Sequence, residues 1–243
     1  MLFIYTLCFS INFYQFYTNF KIIRNVFKYR NIKKYKRWND NKLNYNQKNE
    51  EILLDIISKR YKKDVKIILK EHSETIFYMV RCSVITKKFG EFIGLNKKEQ
   101  NLLEFVALVH DIGKMNLYVN LLYKKEPITD SEFEIIKTHV IYNYKLEDKY
   151  EESIINDCIK YHHLRRDNSG YSGGNKKYNQ THYFVKIITL IDCYDVMTNL
   201  RSYKNNILSN EEVLEEIQGN FKNQFEPKVA KKFIKFLKVF YKI

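Results

Sequence analysis

Helix breakers are so scarce here that little besides an all-helical fold is open to the chain: seven glycines and two prolines are spread over 243 residues. Long stretches of Leu, Ile, Phe, Lys and Glu run between them, and such residues favour the helix. Several helix starts are written locally. Asn96 with Glu99, Thr129 with Glu132 and Ser209 with Glu212 each pair an N-cap side chain with an acid three residues later. Pro227 suits the first residue of a last helix. Apolar spacing predicts helices starting near Ile52, running from Ile76 to Phe92, ending at His110, ending at His139 and spanning Ile154 to His163. The stretch from Phe184 to Met197 is apolar enough for a buried central helix, and residues 168–175 (NSGYSGGN) form the one glycine-rich loop.

The first 48 residues differ from residues 49–243. Residues 1–20 are apolar and aromatic, and the length fits a bilayer span of ~20 residues. Asn12, Gln15 and Asn19 interrupt the run, and the lack of a small-residue cleavage site argues against a removable signal peptide. Between Lys21 and Arg37 stand eight Lys/Arg and no acid, which supply +8 of the net charge of +14. Two readings stay open for residues 1–37: a membrane anchor that leaves the domain facing the cytoplasm, or an extra helix of a cytoplasmic protein. Nucleic-acid binding rests on the basic run alone, because no base-reading motif accompanies it. Cys8, Cys82, Cys158 and Cys193 form no CxxC pair, which argues against a thiolate zinc site and a disulfide framework.

Four of the six histidines join two aspartates in one series: His110-Asp111, His139, His162-His163 and Asp192. Imidazole nitrogen and carboxylate oxygen suit hard or borderline divalent ions. Each residue falls at or near the end of an apolar helical pattern. His139 follows Ile135 and Ile136 by four and three residues, so the spacing places it on their inward face. Adjacent residues on a helix point about 100° apart, so His162 and His163 share one centre only where a helix ends. Asp192 lies in an apolar context in which an unpaired carboxylate is costly. Asp195, one turn on, reads as support for the site or as a surface acid. Taken singly, each histidine is as readily a satisfied core residue; taken together, they point to a metal-dependent hydrolase.

Four segments carry a resemblance to a known family: His110-Asp-Ile-Gly-Lys114; Ile128 through His139; His162-His163 with Asp167-Asn-Ser-Gly-Tyr171; and Asp192 through Lys204. In order and spacing the chain resembles the HD-GYP branch of the HD-domain metal-dependent phosphohydrolases. The resemblance implies an all-α HD-domain helical bundle over 49–243, preceded by the N-terminal helical segment. It implies hydrolysis of cyclic di-GMP to pGpG or GMP at a centre of two divalent ions, or three, with iron or manganese as the metal. Carried over by position, His110, Asp111, His139, His162, His163 and Asp192 are metal ligands, with Glu74 the added ligand of a third ion. Asp111 bridges two ions and Lys114 stands near the scissile phosphate. Tyr171, Arg201 and Lys204 hold the dinucleotide, and a homodimer or signalling partner follows from the family's role.

Three positions depart from the family pattern. Tyr78 stands where the family has a further metal-binding histidine, three residues before Arg81. Ser172 replaces the proline of Gly-Tyr-Pro, and Leu164 replaces an acid after the double histidine. A neutral phenol is a poor ligand, its ordinary pKa being near 10; either a metal depresses that pKa and recruits a phenolate, or one ion is lost or weakly held. Rival readings therefore remain: a receptor that binds the dinucleotide without turning it over, or a hydrolase of another cyclic dinucleotide or a nucleotide monophosphate.

Overall fold

The computed structural model describes residues 46–199 and 206–241. The apolar and basic N-terminal stretches fall in 1–45, and Arg201 and Lys204 in 200–205, so the expectations attached to them lie outside the described residues. Helix α1 (Gln47–Tyr61) opens on Asn46, whose side chain accepts from the Asn49 amide. A left-handed Lys62 (φ 50°) closes it, and Asp64 caps α2 (Val65–Phe92), which deviates from helical geometry at His72. The Asn96–Glu99 box opens α3 (Lys97–Val109), and the backbone tightens at once into a 3₁₀ turn at Ile112–Asn116.

After the short α4 (Val119–Leu122), the Thr129–Glu132 box opens α5 (Asp130–Lys137), followed by a second 3₁₀ turn at Thr138–Ile141. Asp148 caps α6 (Lys149–Tyr161), and His182 caps α7 (Tyr183–Thr198). The Ser209–Glu212 box opens α8 (Asn210–Gly219), and Pro227 is the first residue of α9 (Pro227–Tyr241), as the sequence predicts. No β-strand forms among the described residues; a lone bridge joins Leu164 to Gly170. Nor is any helix among them long and apolar enough to cross a membrane.

Helix α7 is buried around most of its circumference, through Val185, Ile187, Ile188, Leu190 and Ile191. Leu53 and Ile57 of α1, Ile76 and Met79 of α2, Val106 of α3 and Ile159 of α6 build the same core. Phe233 of α9 meets Phe89 of α2 edge-to-face, with centroids 5.1 Å apart. Cys82 and Cys158 are buried in this core as free thiols. An ion pair also fixes the bundle: Arg81 of α2 grips Asp195 of α7 with two hydrogen bonds of 2.7 Å, and Asp195 is fully buried. Asp195 is thus a helix-to-helix tie, not a surface acid.

One helical expectation is corrected. Ile135 is 44 % exposed while His139 is buried, so the two do not share an inward face. The cause is the change of helix type: α5 stops at Lys137, and the tighter turn swings His139 around to the core.

Candidate metal centre

Every histidine of the series sits where a helix is ending. His110 and His162 follow the last residues of α3 and α6, and His139 lies in the 3₁₀ turn after α5. At these ends the carbonyls of the last turn have accepting capacity to spare, and the imidazoles use it. The Nδ1 of His110 donates to the Ala107 carbonyl at 2.8 Å, and that of His139 to Ile136 at 2.7 Å. The Nδ1 of His162 lies 3.0 Å from the carbonyls of both Cys158 and Ile159. A carbonyl can only accept, so Nδ1 carries the proton and each Nε2 presents a lone pair. The main chain of His162 is tied in turn to α7, since its carbonyl accepts from the Thr189 hydroxyl at 2.8 Å.

Glycine brings two of these turns together. A Cβ at Gly113 would run into the carbonyl oxygen of His139, so only glycine lets the turn after Asp111 lie against the turn bearing His139. Gly170, at φ +85°, closes similarly on the carbonyl of His163.

The result is a buried group of four donors. One ligand atom each from Asp111, His139, His162 and His163 lies within 4.8 Å of the others. His139 Nε2 is 3.1 Å and His162 Nε2 3.5 Å from Asp111 Oδ1. Those three atoms, with His163 Nε2, are buried and have no hydrogen-bond partner. Burial holds the His139 and His163 pKa values below the ordinary imidazole range, so both are neutral near pH 7. Burial also pushes the Asp111 carboxyl up, but Lys114 and His110 outweigh it and hold it well below its usual value. Lone pairs thus face a carboxylate across about a hydrogen-bond length with no proton between them. Buried polar atoms left without a partner each cost ~1–3 kcal/mol, and a cation among Asp111, His139, His162 and His163 would give all four one. The donors present fit one divalent ion.

The other expected ligands are placed differently. Tyr78 of α2, 1 % exposed, donates its hydroxyl in a short hydrogen bond to Asp192 Oδ1, and its oxygen lies 2.9 Å from His110 Nε2. His110 and Asp192 therefore meet the phenol and stand outside the group of four. Burial lowers the His110 pKa to about 4. Glu74, one turn before Tyr78, is half-buried and also outside the group. Lys114 Nζ lies 2.5 Å from Asp111 Oδ2, the oxygen turned away from His139 and His162. The Tyr171 ring lies against that of His163, centroids 4.5 Å apart, and its phenol pKa is raised by burial and by the charges of Asp111 and Asp192. Ser172 turns its hydroxyl to the Gly174 carbonyl, and Leu164 is buried. Sequence reasoning singled out Tyr78 as a departure but missed its hydroxyl bonds, which join helices 114 positions apart in the chain.

An all-helical bundle whose helix ends converge on buried imidazole and carboxylate donors defines a metal-binding helical domain. Residues 53–229 match the HD domain family, and the chain belongs to it. The HD-GYP resemblance holds among its relatives. A cyclic di-GMP phosphodiesterase of Thermotoga maritima is 29% identical over 165 residues, covering 67% of this chain and 44% of the relative. A 3′3′-cGAMP-specific phosphodiesterase of Vibrio cholerae is 29% identical over 142 residues, covering 58% of this chain and 31% of the relative. The chain thus spans less than half the length of either relative.

Proposed function

We propose that this chain is a metal-dependent phosphodiesterase that hydrolyses cyclic di-GMP to pGpG or GMP. The observation that carries the reading is the set of four buried donor atoms, three imidazole nitrogens and Asp111 Oδ1, that lack any hydrogen-bond partner. The names of the two relatives support the substrate class, and both act on cyclic dinucleotides.

A divalent ion, iron or manganese, held by Asp111, His139, His162 and His163 would supply an activated water and positive charge for phosphodiester hydrolysis. The residues divide the remaining work. The Nδ1 hydrogen bonds of His139 and His162 fix the donor tautomers before any ligand arrives. Lys114, with 20% of its side chain exposed, is the ammonium able to turn from Asp111 to a non-bridging phosphate oxygen. Tyr171 stays a neutral phenol and can donate a hydrogen bond to the dinucleotide. Arg201 and Lys204 are assigned to the substrate clamp by their motif positions alone.

A second reading is a receptor that binds the dinucleotide without turnover, and the Tyr78 hydroxyl, which donates to Asp192 and lies 2.9 Å from His110 Nε2, favours it. Incubating iron- or manganese-loaded protein with cyclic di-GMP and with 3′3′-cGAMP, and resolving the products by chromatography, separates the two. Linear product that disappears in Asp111→Ala is expected. Retained dinucleotide binding with no product would overturn the hydrolase reading and leave the receptor.

A further inference from the structure

His110 and Asp192 are the right residue types for a second ion, yet each already faces a protein group. The Tyr78 hydroxyl donates to Asp192 Oδ1 and sits 2.9 Å from the His110 lone pair. The two oxygens of Asp111 are divided as well. Oδ1 faces His139 and His162, while Oδ2 lies 2.5 Å from the Lys114 ammonium and 3.6 Å from His110 Nε2. A second ion bridged by Asp111 would need Oδ2, His110 and Asp192 together. All three are engaged by Tyr78 and Lys114, and these two also contact each other, with Lys114 Nζ 5.5 Å from the centre of the Tyr78 ring.

The phenol is held in place from below. One turn on along both helices, Arg81 and Asp195 form their two 2.7 Å hydrogen bonds, fixing α2 against α7 at the spacing that lets Tyr78 reach Asp192. Tyr78 is itself 1 % exposed within the core.

We infer that Tyr78 and Lys114 together replace the second metal ion of this centre. The chain takes one divalent cation, at Asp111, His139, His162 and His163; Asp192 accepts the phenol's proton and the phenol oxygen fills the space 2.9 Å in front of His110 Nε2, so neither is a ligand. The ammonium stands where a second ion would have placed charge beside the bridging carboxylate. The inference rests on the metal-dependent reading above and specifies the stoichiometry and polarity of that same site.

Metal counting tests it without reference to activity. The full chain is loaded with manganese(II), freed of excess, and analysed by plasma mass spectrometry and electron paramagnetic resonance. One ion per chain with an uncoupled manganese signal is expected for the native protein, rising to two coupled ions in Tyr78→His. Two ions in the native protein, or a Tyr78→His variant that folds and still holds one, overturns the inference while leaving the metal-dependent reading intact. No bound ion in the native protein removes that reading itself. If Tyr78→His fails to fold, loading the native chain with ferric iron decides the matter. A visible tyrosinate-to-iron charge-transfer band would make Tyr78 a ligand and overturn the replacement; its absence, with one ion per chain, upholds it.

Discussion

His110 and His162 are held in the same way, each at the end of a helix with Nδ1 on a carbonyl of its own last turn, yet they face different surroundings. In front of the His162 lone pair lie Asp111 Oδ1 and two more imidazoles whose nitrogens are equally unpartnered. In front of the His110 lone pair lies the Tyr78 hydroxyl. One half of the site is open and the other is closed. Residue type and backbone placement do not separate them; what separates them is whether a phenol oxygen already fills the space in front of the lone pair. A histidine in the right motif is open to a ligand only if no other group already stands in front of its nitrogen.

The sharpest way to break this contrast is at the open half. Asp111→Ala removes the carboxylate common to the four donors, and bound metal should vanish by elemental analysis while the circular dichroism of the metal-free fold persists. Next in size is Arg81→Ala, which attacks the closed half from below. It leaves Asp195 charged and fully buried without its guanidinium, a loss of roughly 3–5 kcal/mol on breaking such a pair, readable from urea unfolding.

Acid acts on both halves of the metal-free chain. The His110 pKa falls from 6.5 to about 4 on folding, so the folded state resists a proton that the unfolded state accepts. Stability is therefore full above about pH 6.5 and is lost as pH falls toward 4, by on the order of 3 kcal/mol for this group alone. His139 and His163, lowered in the same direction, steepen the decline. A denaturant midpoint that did not fall between pH 7 and pH 4.5 would contradict the buried neutral imidazoles. The smallest effect belongs to Tyr78→Phe. Losing the hydroxyl leaves Asp192 Oδ1 without its phenol donor, and the metal-free protein should lose about 1–3 kcal/mol in the same assay.

What the sequence reveals about this molecule follows the range of the interactions involved. The capping boxes at Asn96, Thr129 and Ser209 join residues three apart, and all three open helices where the sequence places them. The buried α7 is legible because only Lys186 and Thr189 interrupt its apolar run from Phe184 to Ile191. The orientation of His139 is not legible in the sequence, since apolar spacing carries no sign that α5 tightens into a 3₁₀ turn. The motif series likewise reveals which imidazoles and carboxylates belong together. It does not say that Tyr78 of α2 would reach Asp192 of α7, nor that Lys114 would take the second oxygen of Asp111. Those contacts depend on the packing distance between helices, which the Arg81–Asp195 pair helps to set and which no local pattern encodes.

The contact between Gly113 and the His139 carbonyl bears on the order of events during folding. Two turns far apart in sequence are docked through their main chains, so the cage is complete once the bundle has closed. Uptake of an ion would then be capture by a finished receptacle, unlike small metallo-domains in which the metal drives the chain to fold. The ion should add stability by mass action alone, in proportion to the logarithm of its free concentration above the dissociation constant. A chelator should lower the melting temperature smoothly without ever unfolding the chain outright.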